Sequence, residues 1–157
     1  VYLSLGSNLG QRDFFLREAC RRLELAGLNI CRFSSIYETK PEGNENQPDF
    51  LNMVVEVETE LPPEKLLQLI QLIEKELGRK RVEKWEPRVI DIDILFYDEL
   101  ELKSDSLTIP HPFALKRLFV LVPLCELEPA FAKAASLELQ AKLKKPRGIS
   151  YWGKLDF

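Results

Sequence analysis

Residues 89–96, VIDIDILF, constrain this chain more than any other stretch. β-branched and apolar residues at this density specify a strand. Successive side chains of a strand point to opposite faces. Ile90, Ile92 and Ile94 therefore share one face, and Asp91 and Asp93 share the other. The isoleucines demand a core beneath them. The carboxylates sit about 6.5–7 Å apart and repel by about 2.5 kcal/mol at an effective dielectric of about 20. Protonation, full hydration or cations between them would relieve that repulsion. A solvated outer sheet face is the better account of an isolated D-x-D, so the neighbouring residues have to decide.

The core comes from the rest of the pattern. VYLSLG at 1–6 alternates as a strand. A helix follows Gly10, with Phe15, Ala19, Leu23 and Ala26 at helical spacing and Gly27 as its stop. NICRFSSIYE at 29–38 reads as a second strand, and DFLNMVVEVETE at 49–60 as a third. In the third, Leu51, Met53, Val55 and Val57 share one face while Phe50 and Asn52 begin the other. Pro62 and Pro63 start a helix whose apolar stripe is Leu66, Ile70, Ile73 and Leu77, and Gly78 ends it. After the aspartate strand, residues 97–99 turn and LELK returns as a short strand. A further helix is expected over 113–127, kinked or broken at Pro123. Ser136 caps a last short one through Lys145. The order β-α-β-β-α-β specifies a ferredoxin-like α+β sandwich, mostly antiparallel, with extra strands and helices on its faces.

The 157 residues suit one domain, read as 1–157. Hydrophobic content of 45% and charged content of 30% fit a soluble globular chain. A net charge of -3 gives no global pull toward nucleic acid or an acidic membrane. No apolar run reaches the roughly 18 residues that span a bilayer, and no signal peptide is expected before the first strand. Cys20, Cys31 and Cys125 are odd in number and form no C-x-x-C pair, which opposes a disulfide framework or a zinc site. They read as small buried hydrophobes in a reduced, cytoplasmic setting.

Cationic character is local instead. Arg79, Lys80, Arg81, Lys84 and Arg88 crowd the loop before the aspartate strand, with Trp85 among them. A solvated loop is one explanation, but an exposed Trp there invites stacking. Cations beside paired carboxylates also make two halves of a phosphate site, with Mg²⁺ on the carboxylates and guanidiniums on phosphate oxygens. Neither G-x-x-x-x-G-K-[ST] nor G-x-G-x-x-G occurs, so the common phosphate-binding glycine loops are excluded. His111, the single histidine, lies between Pro110 and Pro112, where a structural role is a commoner reading than a catalytic one. Gln71 and Glu74 share a helix face just before the basic loop.

Taken together, these segments resemble the 6-hydroxymethyl-7,8-dihydropterin pyrophosphokinase family. The resemblance runs from about residue 2 to about residue 130. It rests on LGSN at 5–8, YETKPEG at 37–43, QPDFLN at 47–52, GRKR at 78–81, WEPRVIDIDIL at 85–95 and LTIPHP at 107–112. It implies an ATP-dependent pyrophosphokinase of folate biosynthesis that releases AMP and uses two Mg²⁺ ions on Asp91 and Asp93. Arg79 and Arg88 would engage the triphosphate, and Arg81 and Trp85 would belong to a closing lid. Gln71, Glu74, Thr108, His111 and Arg117 fall on the ATP side. Thr39, the Glu42 backbone, Phe50, Asn52 and Phe119 fall on the pterin side. A flat ring beside an amide, as at Phe50 and Asn52, suits the flat, amide-edged pterin. Phe50 stands where the family carries Tyr, Ser106 where some members place Arg, and the segment after 130 shows little resemblance.

No strong general base is visible, and His111 is read as an ATP contact before a base. The competing readings are a ferredoxin-like nucleotide- or metal-binding module without turnover, and a structural domain whose charges are all surface. The expected partners are the two small substrates, with no nucleic acid, no membrane and a monomeric chain.

Overall fold

Strand β1 (Tyr2–Ser7) runs through the middle of a sheet, antiparallel to both neighbours, in a computed structural model that describes residues 1–41, 46–78 and 89–156. Its neighbours are β4 (Phe50–Glu58) and β5 (Asp91–Phe96). Beyond β4 lie β2 (Asn29–Phe33) and β3 (Ile36–Thr39), and beyond β3 lies β8 (Ile149–Gly153). The order is β5-β1-β4-β3-β8, with β2 also paired to β4. Helix α1 (Arg12–Leu25) joins β1 to β2, and α2 (Pro63–Glu76) joins β4 to β5. This is the expected ferredoxin-like order, widened by one strand.

The expected single strand over 29–38 is broken in two. Ser34 supplies the reason. Its amide donates to the Val54 carbonyl at 2.9 Å, and its hydroxyl accepts from the Val54 amide at 2.8 Å. A side-chain oxygen thus replaces a ladder carbonyl and lets the backbone bend. Ser35 then turns its amide and hydroxyl toward Glu126. A second irregularity falls between Ile30 and Arg32. Cys31 is the extra residue there and faces solvent, and Cys125 is half-buried. Of the three thiols expected inside, only Cys20 is buried, and burial pushes it up to about 12.

The pleat divides the sheet into two unlike faces. Leu3 and Leu5 of β1, Leu51, Met53, Val55 and Val57 of β4, and Ile92 and Ile94 of β5 bury against α1 and α2. Among the described residues the opposite face is covered only in part. Helix α3 (Leu118–Leu127) packs there on Val54, Leu95, Tyr2 and Phe96. Leu95 and Phe96 are adjacent, yet both meet this cluster. A register shift between Tyr2 and Leu3 marks the bulge that permits it. Alternation alone puts Leu95 on the face of Asp91 and Asp93, and the bulge adds Phe96 to it.

Helix α3 starts later than its expected range of 113–127. Residues 113–117 form turns instead, closed by short-range bonds such as Ala114 to His111 and Lys116 to Phe113. The helix passes through Pro123 without breaking, although that residue cannot bond the Phe119 carbonyl. Val120, Leu121, Leu124 and Leu127 hold it by burial. The LELK segment contributes β6 (Leu102–Lys103), which pairs with β7 (Thr108–Ile109) rather than with the main sheet. A single turn, α4 (Phe131–Ala134), precedes α5 (Leu137–Lys144), and Ser136 Oγ accepts from the Leu139 amide as the expected cap. Among the described residues no helix is long and apolar enough to cross a membrane.

Among the described residues β5 pairs only with β1, so its outer backbone groups need partners from outside the sheet. Glu74 of α2 provides one. Buried to 6% exposure, its Oε2 accepts from the Ile92 amide at 3.0 Å. The carboxylate caps the edge at the residue between the two aspartates. Glu74→Ala should strand a buried donor and lower stability by about 1–3 kcal/mol in urea titration, while Glu74→Gln, which keeps an acceptor, should restore most of it. Equal stability of the alanine variant and wild type would refute this.

Candidate active site

The partly uncovered face carries one continuous row of residues. In register across the sheet, Tyr37 of β3 lies opposite Asn52 of β4, Asn52 opposite Gly6 of β1, and Gly6 opposite Asp91 of β5. Next to it, Ser4 lies opposite both Val54 and Asp93. Thr39 pairs with Phe50 on the same face. Neighbouring strands are about 4.8 Å apart, so Asn52 and Asp91 are separated by about 10 Å with Gly6 between them.

Gly6 has no side chain in that gap, and none would fit. A Cβ there would lie 2.7 Å from Asn52 Oδ1 and 3.6 Å from Phe50 Cδ1. Asn52 is held in turn by its Nδ2, which donates to Thr39 Oγ1 at 2.7 Å. Both groups are buried. The amide is thus fixed in plane beside the Phe50 ring, with its oxygen over the glycine. The loop entering β4 is anchored close by. Asn8 Nδ2 donates to Gln47 Oε1 at 3.0 Å and to the Pro48 carbonyl at 3.1 Å. Gln47 is buried, and its Nε2 finds no partner among the described residues.

The carboxylate end is more open. Asp91 is half-buried and Asp93 exposed. Among the described residues no third His, Cys, Asp or Glu joins them into a metal-binding group. Two hard oxygen donors on one accessible face still suit Mg²⁺, which takes one or two carboxylates and completes its shell with phosphate and water.

His111 stands near this end. Its backbone amide donates to the Leu95 carbonyl at 2.9 Å, tying the 110–112 segment to β5. Its Nδ1 accepts from the Phe113 amide at 3.1 Å. Burial, and secondarily the Arg117 charge, hold the imidazole below its usual value, against an opposing pull from Asp91. A neutral ring whose Nδ1 is an acceptor carries its proton on Nε2. Arg117, at the start of α3, lays its guanidinium over Phe113 at 4.5 Å and Phe119 at 5.7 Å.

Of the residues singled out from sequence, Thr39, Phe50, Asn52, Asp91 and Asp93 therefore share one sheet face, and His111, Arg117 and Phe119 gather at its α3 side. Thr108 is half-buried in β7. Gln71 is exposed on α2, and Glu74 of the same helix holds the β5 backbone. Glu42, Arg79, Arg81, Trp85 and Arg88 lie outside the described residues, as do Lys80 and Lys84 of the basic loop. Gly6, Asn8 and Gln47 join the site without being singled out by any local pattern. Their signal is cross-strand, and a glycine within a strand is the one local hint of a close approach.

Comparison with known proteins identifies the family. The family model described as 7,8-dihydro-6-hydroxymethylpterin-pyrophosphokinase (HPPK) matches residues 2–129. A 2-amino-4-hydroxy-6-hydroxymethyldihydropteridine pyrophosphokinase of Bacillus subtilis is 46% identical over 137 residues, covering 87% of this chain and 82% of that protein. One of Aquifex aeolicus is 48% identical over 129 residues, covering 82% and 80%. A solved Plasmodium falciparum HPPK-DHPS structure superposes with a TM-score of 0.61 at 18% identity, covering 82% of this chain and 41% of that one.

Gly6→Ala should push the Asn52 amide off Thr39. Faster exchange of the Asn52 side-chain amide by NMR and a stability loss of about 1–2 kcal/mol are expected. Unchanged exchange would show that Asn52 does not depend on the glycine. For His111, nitrogen-detected NMR should show the Nε2–H tautomer and a midpoint below the usual imidazole value. A folded value lowered in this way lends stability above the unfolded midpoint, and that stability is lost as pH falls through the folded one. An Nδ1–H tautomer would contradict the bond from Phe113.

Proposed function

Because the chain belongs to the 7,8-dihydro-6-hydroxymethylpterin-pyrophosphokinase family, we propose that the uncovered sheet face, with Asn52, Gly6 and Asp91 in one row, is where it works. The activity itself is transfer of the pyrophosphoryl group of ATP to 6-hydroxymethyl-7,8-dihydropterin, giving AMP and the pterin diphosphate in folate synthesis. ATP is the co-substrate.

The row is the observation that carries the assignment of residues. Asn52 and Thr39 read the amide-like edge of the pterin, and Phe50 and Phe119 supply aromatic surface for its ring. Gly6 leaves room for the Asn52 amide that meets this edge. The separation of about 10 Å between Asn52 and Asp91 suits a bicyclic ring plus its hydroxymethyl arm. The reacting oxygen is thereby delivered at the aspartates. In the transfer it forms a bond to the β-phosphorus and loses its proton. The bond from that phosphorus to the α,β-bridging oxygen breaks, and AMP leaves. Positioning and charge stabilisation supply the catalysis in such a reaction.

Asp91 and Asp93 would hold two Mg²⁺ ions. When bound, these neutralise the triphosphate and polarise the phosphoryl group being attacked. Arg117 offers a further cation to the phosphates. His111 donates through Nε2 and serves better as an ATP contact than as a base. Glu74 keeps the Asp91–Asp93 segment in place. Gln71 and Thr108 remain assigned to the ATP side. Arg79 and Arg88 on the triphosphate, Arg81 and Trp85 in a lid, and the Glu42 backbone on the pterin complete the reading from sequence. One sheet carries both hydrophobic clusters, which supports residues 1–157 acting as one domain. We further read it as a cytoplasmic monomer, in keeping with three free cysteines.

With ATP, Mg²⁺ and the pterin, chromatography should recover AMP and pterin diphosphate, and chelation with EDTA should stop turnover. Asp93→Ala should reduce kcat by at least about 100-fold without lowering thermal stability, since it removes one member of a repelling pair. ADP as product, or near wild-type activity in the variant, would overturn the assignment.

A further inference from the structure

Five cations, Lys116, Arg117, Lys142, Lys145 and Arg147, line a single cavity of about 610 Å³. No carboxylate lines it among the described residues. Three of the five come from α5 and the turn after it, beyond residue 129 where the family match ends. The core does not require them there, because α5 buries no residue.

Like charges crowded into a concavity repel, by about 2.5 kcal/mol for a pair about 7 Å apart at an effective dielectric of about 20. Among the described residues one ion pair touches the lysines that α5 contributes. Glu138 lies 3.3 Å from Lys142, one turn away on α5, but both side chains are exposed. Such pairs contribute about 0–1 kcal/mol, so an arriving anion can displace this one. The cavity also has an apolar part in Leu118 and Leu139. Its size lies in the range of about 300–1,000 Å³ typical of small-molecule sites and exceeds what a lone phosphate fills.

We propose that this cavity is a second ligand site, for an oligophosphate chain attached to a flat heteroaromatic ring. The cations take the phosphates by charge-assisted hydrogen bonds, and the leucines take a face of the ring. Arg117 lies where this cavity adjoins the transfer site. The proposal rests on charge and shape in the C-terminal segment and not on the transfer chemistry. Free nucleotide and the pterin diphosphate product share the required chemistry.

Calorimetric titration of the whole chain with ATP in EDTA tests it, because sites that depend on the aspartates and Mg²⁺ are then weakened and the cavity is not. Wild type should bind metal-free ATP. The triple variant Lys142→Gln/Lys145→Gln/Arg147→Gln should lose at least about tenfold in that affinity and keep its Mg²⁺-dependent AMP formation. Each single substitution should act in the same direction, which guards against a misfolded triple variant. Asp93→Ala should do the reverse, losing turnover and keeping metal-free binding, so failure of this proposal and failure of the catalytic reading are separable. Titration with pterin diphosphate decides which source binds more tightly. No metal-free binding by wild type, or equal binding by the triple variant, would overturn the site. Inorganic tripolyphosphate binding as tightly as ATP would overturn the ring assignment.

Discussion

The antiparallel register of β1 against β4 and β5 is what the candidate site depends on. Gly6 stands opposite Asn52 on one side and Asp91 on the other. A slip of one residue in either pairing would turn one end of the row into the core. The register is secured from the opposite face, where Leu3 and Leu5 bury among Met53, Val55, Ile92 and Ile94. The apolar face thus positions the polar one. Gly6 adds a second condition, since a Cβ on the central strand there would collide with the Asn52 amide.

The two faces are finished differently. Helices α1 and α2 seal one. On the other, α3 and the bulge at Leu95 and Phe96 bring apolar cover up to the aspartates and stop there. Polar groups hold the boundary. Asn52 and Thr39 lock each other, Asn8 fastens the loop entering β4, and Glu126 at the end of α3 takes the Tyr37 hydroxyl at 2.6 Å. Buried polar groups joined in this way favour a single arrangement. Glu74 performs a similar service from beneath, because among the described residues the strand that bears both aspartates pairs only with β1.

The C-terminal segment is not a passive tail. Strand β8 pairs with β3 in a register that sets Ile149 beside Thr39 and Tyr151 beside Tyr37, and the Lys40 amide donates to the Gly148 carbonyl at 3.2 Å. It thereby braces the strand that carries Thr39, while the preceding turn carries Lys145 and Arg147 into the basic cavity. The sequence left this segment unread for a physical reason. GISYWG has too little alternation to announce a strand, and its partner lies more than a hundred residues earlier.

What the sequence by itself determined was periodic or local. The two-residue alternation sorted Asp91 and Asp93 from the isoleucines, and Phe50 and Asn52 from Leu51 and Met53. Helical spacing and terminal glycines found α1 and α2, and Ser136 found α5. Side-chain direction along one element follows from backbone geometry, which a short window of residues contains. The tertiary structure alone decided the rest. It split 29–38 because Ser34 bonds Val54, it turned Cys31 outward at an irregularity against β4, and it gave Glu74 the Ile92 amide 18 residues away. It also made Gly6 the space between Asn52 and Asp91. Each of these depends on a partner distant in sequence, and no local pattern records which residue chain folding will place opposite another.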